Sequence, residues 1–514
     1  MVMISSQVMI FMVMVIYLAA MLLIGAWFSK QGSGDTADDF FIGGRGLGPL
    51  VTAMSAEASD MSSYLLMGLP GLAYFAGIAE VGWTAIGLAV GTYLIFLFVA
   101  RILRRYCAEI GAITIPEFFS KRYADKKNQL SLIAAVIILV FFIPYTASGF
   151  KAVGTLFNSL FGIEYHIAMM IGAIIIIGYT VMGGFMAVST TDLIQSIFMT
   201  VALLIIVLFG ISQAGGTGAV FHNAAKLPGY LSLFKGYNAA DGTAGTYGAF
   251  SIASTLAWGL GYFGMPHILL RFMAIRKEEE LVLSRRIASV WVVLSMSVAV
   301  FIGIIGYSVS VAGKIPFLTT SSDAETIIIQ MANLMSQHGF FLTLAAGIIL
   351  AGILAATMST ADSQLLAAAS SVSQDIVQDY MGKELDNRRS MLAARGTVIG
   401  IAFVALLLAW NPNSSVFRVV SFAWAGFGAT FGPVMLLALF WKRSNRQGAL
   451  AGLVVGGIMV FVWKYLIAPI GGVLAVYELL PAFIFALLAD IIVSLATPAA
   501  DAEVLAAYDR VHSK

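Results

Sequence analysis

Three short stretches place reactive or helix-breaking residues inside otherwise apolar sequence. Ser55-Ala56-Glu57-Ala58-Ser59-Asp60-Met61-Ser62-Ser63 carries two acids and four serines and is followed by Gly68 and Pro70-Gly71. Trp258-Gly259-Leu260-Gly261-Tyr262-Phe263-Gly264-Met265-Pro266-His267 crowds three glycines and a proline together, a composition that breaks a helix. Ala355-Ala356-Thr357-Met358-Ser359-Thr360-Ala361-Asp362-Ser363-Gln364 is a stripe of small and hydroxylic residues. Within it Ala356, Ser359 and Thr360 stand at i, i+3 and i+4 and share one helical face. A carbonyl and two hydroxyls are oxygen ligands for a hard alkali cation, and sodium suits them better than a soft metal.

These stretches need elements to hold them, and the composition says which. Of 514 residues, 60% are hydrophobic and 11% charged, with a formal charge of +2 and a mean hydropathy of +0.92. A soluble domain carries roughly 25% charged residues. The chain is therefore a polytopic, all-α membrane protein whose solvent is largely a lipid bilayer. Apolar stretches of spanning length predict thirteen transmembrane helices, near 6–28, 47–72, 77–101, 128–158, 163–183, 190–213, 248–273, 287–312, 338–370, 391–411, 416–441, 448–467 and 473–497. The first has no basic residue ahead of it and no small-residue cleavage site, so it reads as a retained span rather than a signal peptide. With the N-terminus outside, 23 of the 29 Lys and Arg fall on inner loops. These include Lys30, Arg45, the 101–127 group, Arg271, Arg276, Lys442 and Lys514, while Lys151, Arg418 and Lys464 are expected to snorkel at outer helix ends. The C-terminus is then cytoplasmic, and the tail after 497 is too short for a kinase or sensor module.

Other chemistries find no support. The near-neutral charge gives no footing for nucleic acid, and Cys107 is the only cysteine, so disulfides are excluded. The histidines 166, 222, 267, 338 and 512 lack ligand spacing. There is no Walker motif, and Gly44-Arg45-Gly46-Leu47-Gly48 reads as an inner turn. Uphill work must draw on an ion gradient. Close helix packing accounts for Gly87/Gly91, Gly396/Gly400, Gly452/Gly456 and the small residues of 424–430. It does not account for Asp60 or Asp362, because packing needs no carboxylate. Asp192, after Gly183-Gly184 and Thr190-Thr191, is expected in a loop or at a helix end, as readily an exposed cap as not.

Breaks in the second and seventh spans, five apart, imply inverted repeats. An odd number of spans per repeat makes the second copy enter from the opposite face, which puts the two broken helices beside a midplane binding site. There, unwound carbonyls can face a cation and half-helix N-termini a carboxylate.

The residues that carry these features resemble the sodium/solute symporter family from about 35 to 490. The likeness is strongest at Gly43-Gly44-Arg45, 59–62, 65–71, Gly183-Gly184-Phe185, 258–263, 266–269, 358–360, 363–366 and 424–428. The resemblance implies a single transporter domain with a LeuT-like core of two five-helix inverted repeats, about 47–213 and 248–441. Extra helices would lie near 6–28, 448–467 and 473–497. It implies a sodium site from the carbonyls of Ala58, Met61 and Ala356 with the hydroxyls of Ser359 and Thr360, and sodium coupling through Asp60. It also implies a substrate pocket at Tyr145, Trp258, Tyr262 and Pro266. Two tyrosines and a tryptophan can enclose a pyrrolidine ring while their polar tips stay hydrogen-bonded.

The sequence departs from the family pattern at Glu57, where a small residue is expected, at Ser63 for glycine, Tyr64 for tryptophan and Met265 for glutamine. Glu57 either adds a protonatable group or faces water near the inner end. The expected activity is sodium influx coupled to uptake of a small zwitterion, L-proline first, across a bacterial inner membrane. No enzyme activity and no cofactor beyond the coupling Na⁺ are expected. Lack of a mid-core arginine favours a zwitterion over an anion. Another amino acid or a betaine is the alternative solute, and a membrane solute sensor the non-transport alternative.

One further group stands apart from that pocket. Asp362 and Ser363 follow Ser359 by three and four positions and lie one turn further inward. With Asp192 from the sixth span they would form an auxiliary cation site of Asp192, Ser359, Asp362 and Ser363, since two buried carboxylates repel without a cation or proton between them. The competing expectation is a cytoplasmic-side hydrogen-bond lock in which Asp362 caps or pairs with a basic inner loop and no ion is bound.

Overall fold

A bilayer core offers no water to backbone N–H and C=O groups, so apolar stretches fold as helices that satisfy those groups internally. The computed structural model describes residues 5–30, 37–383, 385–412 and 415–513; Lys514 lies outside them. Ten helices among the described residues are long and apolar enough to cross a membrane, and 165–178 is a shorter apolar helix. The principal helices are α1 (Ser6–Lys30), α2 (Pro49–Ser63), α3 (Leu69–Ala76), α4 (Ile78–Leu94), α5 (Ala100–Ile110), α6 (Ile115–Arg122), α7 (Gln129–Phe161), α8 (Tyr165–Gln213) and α9 (Ala249–Leu256). They continue with α10 (Pro266–Ala274), α11 (Leu281–Val311), α12 (Phe340–Ser370), α13 (Asn387–Leu408), α14 (Val416–Phe440), α15 (Arg446–Val462), α16 (Leu479–Ala496) and α17 (Ala502–His512).

The expected spans near 47–72 and 248–273 are not among the ten long helices, because each is divided. In α2, Ser62 takes φ 50° and ψ −168°, a region that all but glycine avoid, and a wide turn over 64–68 leads into α3. After α9 the chain winds as a tight 3₁₀ helix over 257–264, and α10 begins at Pro266. Proline has no N–H to continue the earlier helix but fits the first turn of a new one. The expected fifth and sixth spans run together as α8, which turns at Gly184 with φ 61° and ψ −168°, where a glycine carries no Cβ penalty. The loop 214–247 carries the only two strands among the described residues. Strands β1 (Lys235–Asn238) and β2 (Thr243–Thr246) pair antiparallel, with Lys235 opposite Thr246.

Close packing fixes how the divided segments sit. A Cβ on Gly259 would lie 2.2 Å from the Gly87 carbonyl oxygen, and one on Gly91 would lie 2.5 Å from the Gly259 carbonyl oxygen. Backbone thus touches backbone between α4 and 257–264. Gly452 and Gly456 are similarly pressed, with Cβ positions 2.7 Å from Val434 and 2.6 Å from the Ala429 carbonyl. Gly396 and Gly400 are different: a Cβ at either meets nothing within 4 Å, so the packing role expected of this pair is not what their positions serve. The contrast gives a prediction. Gly259→Ala should lower stability by about 1–3 kcal/mol through overpacking, whereas Gly396→Ala should raise it by about 0.5–1 kcal/mol through helix propensity. Thermal unfolding of the purified variants in detergent checks both signs; equal melting temperatures would refute the close approach.

Three basic residues sit elsewhere than expected. Lys151 does not snorkel: it is 3% exposed, with its Nζ 3.8 Å from Glu325. Arg122, expected on an inner loop, is buried against the rings of Tyr106, Tyr123 and Tyr508, and its Nε donates to the Ala438 carbonyl at 2.9 Å. Tyr508 comes from α17, which is further fastened by Arg510–Glu109 at 2.6 Å and Asp509–Lys442 at 2.7 Å. The third residue, Arg271, belongs to the site.

Candidate functional site

The break in α2 and the hydroxylic face of α12 meet. Ser359 Oγ donates to the Ala58 carbonyl at 2.8 Å and lies 3.2 Å from the Ala356 carbonyl, which Thr360 Oγ1 approaches at 3.3 Å. Met61 is buried in the same turn of α2, directly before the Ser62 distortion that ends regular helix there. Four of the five expected sodium ligands are therefore joined by short oxygen–oxygen contacts, and the fifth stands beside them. A distorted backbone and facing hydroxyls make a compact set of hard oxygens.

Asp60 points to a different neighbour. Its Oδ2 accepts from Tyr262 Oη at 2.6 Å, and its backbone carbonyl accepts from Tyr145 Oη at 3.1 Å. Two of the residues expected at the substrate thus clamp the expected coupling acid. Asp60, Met61, Tyr64, Leu88, Tyr145, Trp258, Met296, Val420 and Trp424 surround a narrow cavity with about 10 Å³ open to a water-sized sphere, room for about one water. Neither Pro266, buried at the start of α10, nor Tyr262, which reaches the cavity only through its bond to Asp60, is one of these walls. Tyr145 also borders a second narrow space with Ser62, Ser63, Thr360 and Gln364, so the aromatic cavity and the oxygen set share a wall.

Stacked rings close the cavity. Trp258 lies 5.6 Å from Tyr64, 5.2 Å from Tyr477 and 5.6 Å from Phe417. Phe417 also lines a much larger cavity of about 1020 Å³ with Ser148, Lys151, Arg418 and Tyr465. Its ring lies 5.7 Å from Tyr64 and 5.6 Å from Trp258, two walls of the closed pocket, so the larger cavity lies next to the closed one. Sequence reasoning did not find Met296, Trp424, Phe417 or Tyr477. Only Trp424 carried a signal, as the start of a small-residue motif; its Nε1 donates to the Trp258 carbonyl at 2.8 Å.

The expected auxiliary group is centred on a residue that was assigned to a loop. Arg271 lies on α10 and is 1% exposed. Its Nη2 donates to Asp192 Oδ2 at 3.2 Å and Ser363 Oγ at 2.5 Å, its Nε to Ser55 Oγ at 3.0 Å, and its Nη1 to the His267 carbonyl at 2.8 Å. Its guanidinium rests on the Phe185 ring at 5.1 Å. Asp192 is fully buried and also accepts from Ser55 Oγ at 2.6 Å, so it is not an exposed cap. Asp362 is buried within electrostatic range of the same guanidinium. Ser359 does not join this group, since its hydroxyl faces Ala58 and Ala356. The positive charge that two buried carboxylates require is thus a side chain of the protein, and the chain does have a mid-core arginine. The signal was present: Arg271 fell inside the span read over 248–273, where an ionisable residue needs a partner.

Known proteins are similar to this chain in sequence and in fold. The profile described as "Sodium:solute symporter family" matches residues 40–456. The chain is 41% identical to the osmoregulated proline transporter OpuE of Bacillus subtilis over 484 residues, 94% of each protein. It is 40% identical to a sodium/proline symporter of Staphylococcus aureus over 493 residues, 95% of this chain and 92% of that one. Its fold matches a Na⁺-coupled sialic acid symporter in a substrate-bound outward-open state at a TM-score of 0.78 and 20% identity, covering 96% and 99% of the two chains. It also matches Mhp1, a nucleobase-cation-symport-1 family transporter, at 0.53 and 14%, covering 93% and 99%. With a profile match over most of its length and relatives near two-fifths identity, this multi-pass helical membrane protein belongs to the sodium:solute symporter family.

Proposed function

We propose that this protein is a secondary active symporter that couples sodium influx to uptake of a small zwitterion, L-proline first, by alternating access. The observation that carries the reading is the 2.8 Å contact from Ser359 to the Ala58 carbonyl. It gathers hard oxygens from two helices beside a cavity walled by Asp60, Tyr145 and Trp258. Sodium is held by the carbonyls of Ala58, Met61 and Ala356 and the hydroxyls of Ser359 and Thr360. The ion thereby ties α2 to α12 while solute occupies the aromatic cavity. Asp60 carries the only charged side chain among the cavity walls, which favours a solute that presents an ammonium centre there. The relatives' names, an osmoregulated proline transporter and a sodium/proline symporter, point to the same solute.

The divided segments at Ser62 and 257–264 support thirteen spans, with five-helix inverted repeats over about 47–213 and 248–441 and broken second and seventh helices in the LeuT manner. Extra helices near 6–28, 448–467 and 473–497 complete a single transporter domain. The basic residues support an outer N-terminus and a cytoplasmic C-terminus in a bacterial plasma membrane, and moving Arg271 out of the loop count leaves their asymmetry intact.

Uptake of labelled solutes into proteoliposomes under an imposed sodium gradient, across amino acids and betaines, tests the assignment. Proline uptake that is indifferent to sodium would overturn it, and preference for a betaine would change the solute alone. Within the pocket, Trp258→Ala should raise the proline concentration for half-maximal competition roughly 30-fold, a loss of about 2 kcal/mol from an aromatic side chain taken out of its enclosure. An unchanged value in competition binding would place the solute elsewhere.

A further inference from the structure

Glu57 departs from the family pattern, and no role described so far uses it. It is 1% exposed, so it does not face water, and neither of its carboxyl oxygens has a hydrogen-bond partner among the described residues. It stands one helical turn before Asp60 on the same face of α2. Ala58, whose carbonyl accepts from Ser359, is rotated about 100° from Glu57 and about 160° from Asp60 around the helix.

Both carboxyls act at electrostatic range on one group, the Tyr262 hydroxyl, which donates to Asp60 at 2.6 Å. Thr92 of α4 lies beside the same tyrosine and is fully buried, and its hydroxyl has no further partner among the described residues. The close approach of α4 holds it there, since a Cβ on the adjacent Gly91 would lie 2.8 Å from the Tyr262 ring.

Two acids a turn apart in a low-dielectric interior repel, and each buried oxygen without a partner carries a desolvation penalty. Arg271 does not relieve this pair, because its guanidinium nitrogens are directed at Ser55, Asp192, Ser363 and the His267 carbonyl. A proton on Glu57 would remove the charge and still leave a donor without an acceptor. A small hard cation satisfies both carboxyls and can draw on the two hydroxyls as neutral oxygens.

We propose that Glu57, Asp60, Tyr262 and Thr92 form a second sodium site, separate from the Ala58–Ser359 set and filled during the same transport cycle. The inference rests on the sodium-coupled reading above and gives this chain one more coupling ion than the Ala58–Ser359 set alone provides. It also gives Asp60 a physical role: it is the ligand that lies between the second ion and the solute cavity.

The test is the ratio of ²²Na⁺ to labelled proline entering proteoliposomes, for the parent protein, Glu57→Gln and Glu57→Gly. The parent should carry about two sodium ions per proline with a sodium Hill coefficient above one, and both variants should fall to about one ion with a Hill coefficient near one. A parent ratio of one overturns the second site without any variant having to fold. So does a ratio of two that persists in a folded, active variant, or a variant that shifts only the pH dependence of uptake, which would make Glu57 a proton carrier. Sodium-independent proline uptake by the parent is a distinct outcome that removes the symport reading itself and this site with it.

Discussion

Replacing Ser359 and Thr360 together by Ala raises the sodium concentration for half-maximal uptake about 100-fold, because each oxygen lost from a charged partner is worth about 1.5 kcal/mol. The effect is confined to sodium. At saturating sodium the proline affinity should stay within a few-fold of the parent value, since neither residue is among the walls of the aromatic cavity. The double variant should still fold, because Ser359 loses only a hydroxyl and Thr360 a hydroxyl and one methyl group, a small change for a core of this size. Sodium titration of proline uptake, with proline titrated at fixed high sodium, separates the two affinities. Equal losses at every sodium concentration would exclude this oxygen set as the ion site.

Arg271→Met lowers stability by roughly 3–5 kcal/mol, because breaking a buried ion pair from one side leaves Asp192 charged with no cation beside it. The double variant Arg271→Met, Asp192→Leu should recover most of that loss, since a well-packed apolar pair commonly replaces a buried ion pair at little net cost. Thermal unfolding in detergent reads both, and a double variant no more stable than the single would mean the two residues do not act on one another. The same cluster sets what Asp362→Asn does. Arg271 bonds Asp192 and Ser363 and lies within electrostatic range of Asp362, and we propose on that ground that the group is a hydrogen-bonded lock. Asp362→Asn should then lower the maximal rate while sodium and pH dependence stay intact. A changed sodium Hill coefficient in that variant would restore an ion to the group.

Much of this was legible in the residues alone. Hydropathy and charge gave a multi-pass helical membrane protein because the bilayer imposes one demand on every span, that its backbone be satisfied internally. The hydroxylic face of Ala356, Ser359 and Thr360 follows from 3.6 residues per turn and needs no neighbour. The breaks near Ser62 and Pro266 follow from local composition, although helix lengths among the described residues register only ten long spans. What sequence could not fix was which faces meet. Ser359 reaches Ala58 across 301 positions, and Arg271 finds Asp192 across 79. Gly87 and Gly396 are the same residue in equally apolar helices, yet one is pressed on a backbone and the other on nothing. Trp424 and Met296 became walls of the pocket only once α14 had packed on 257–264 and α11 on α2 and α4. Periodicity along one helix determines which side chains share a face. Partner choice depends on the relative rotation and depth of several helices at once, and only the packed structure sets those.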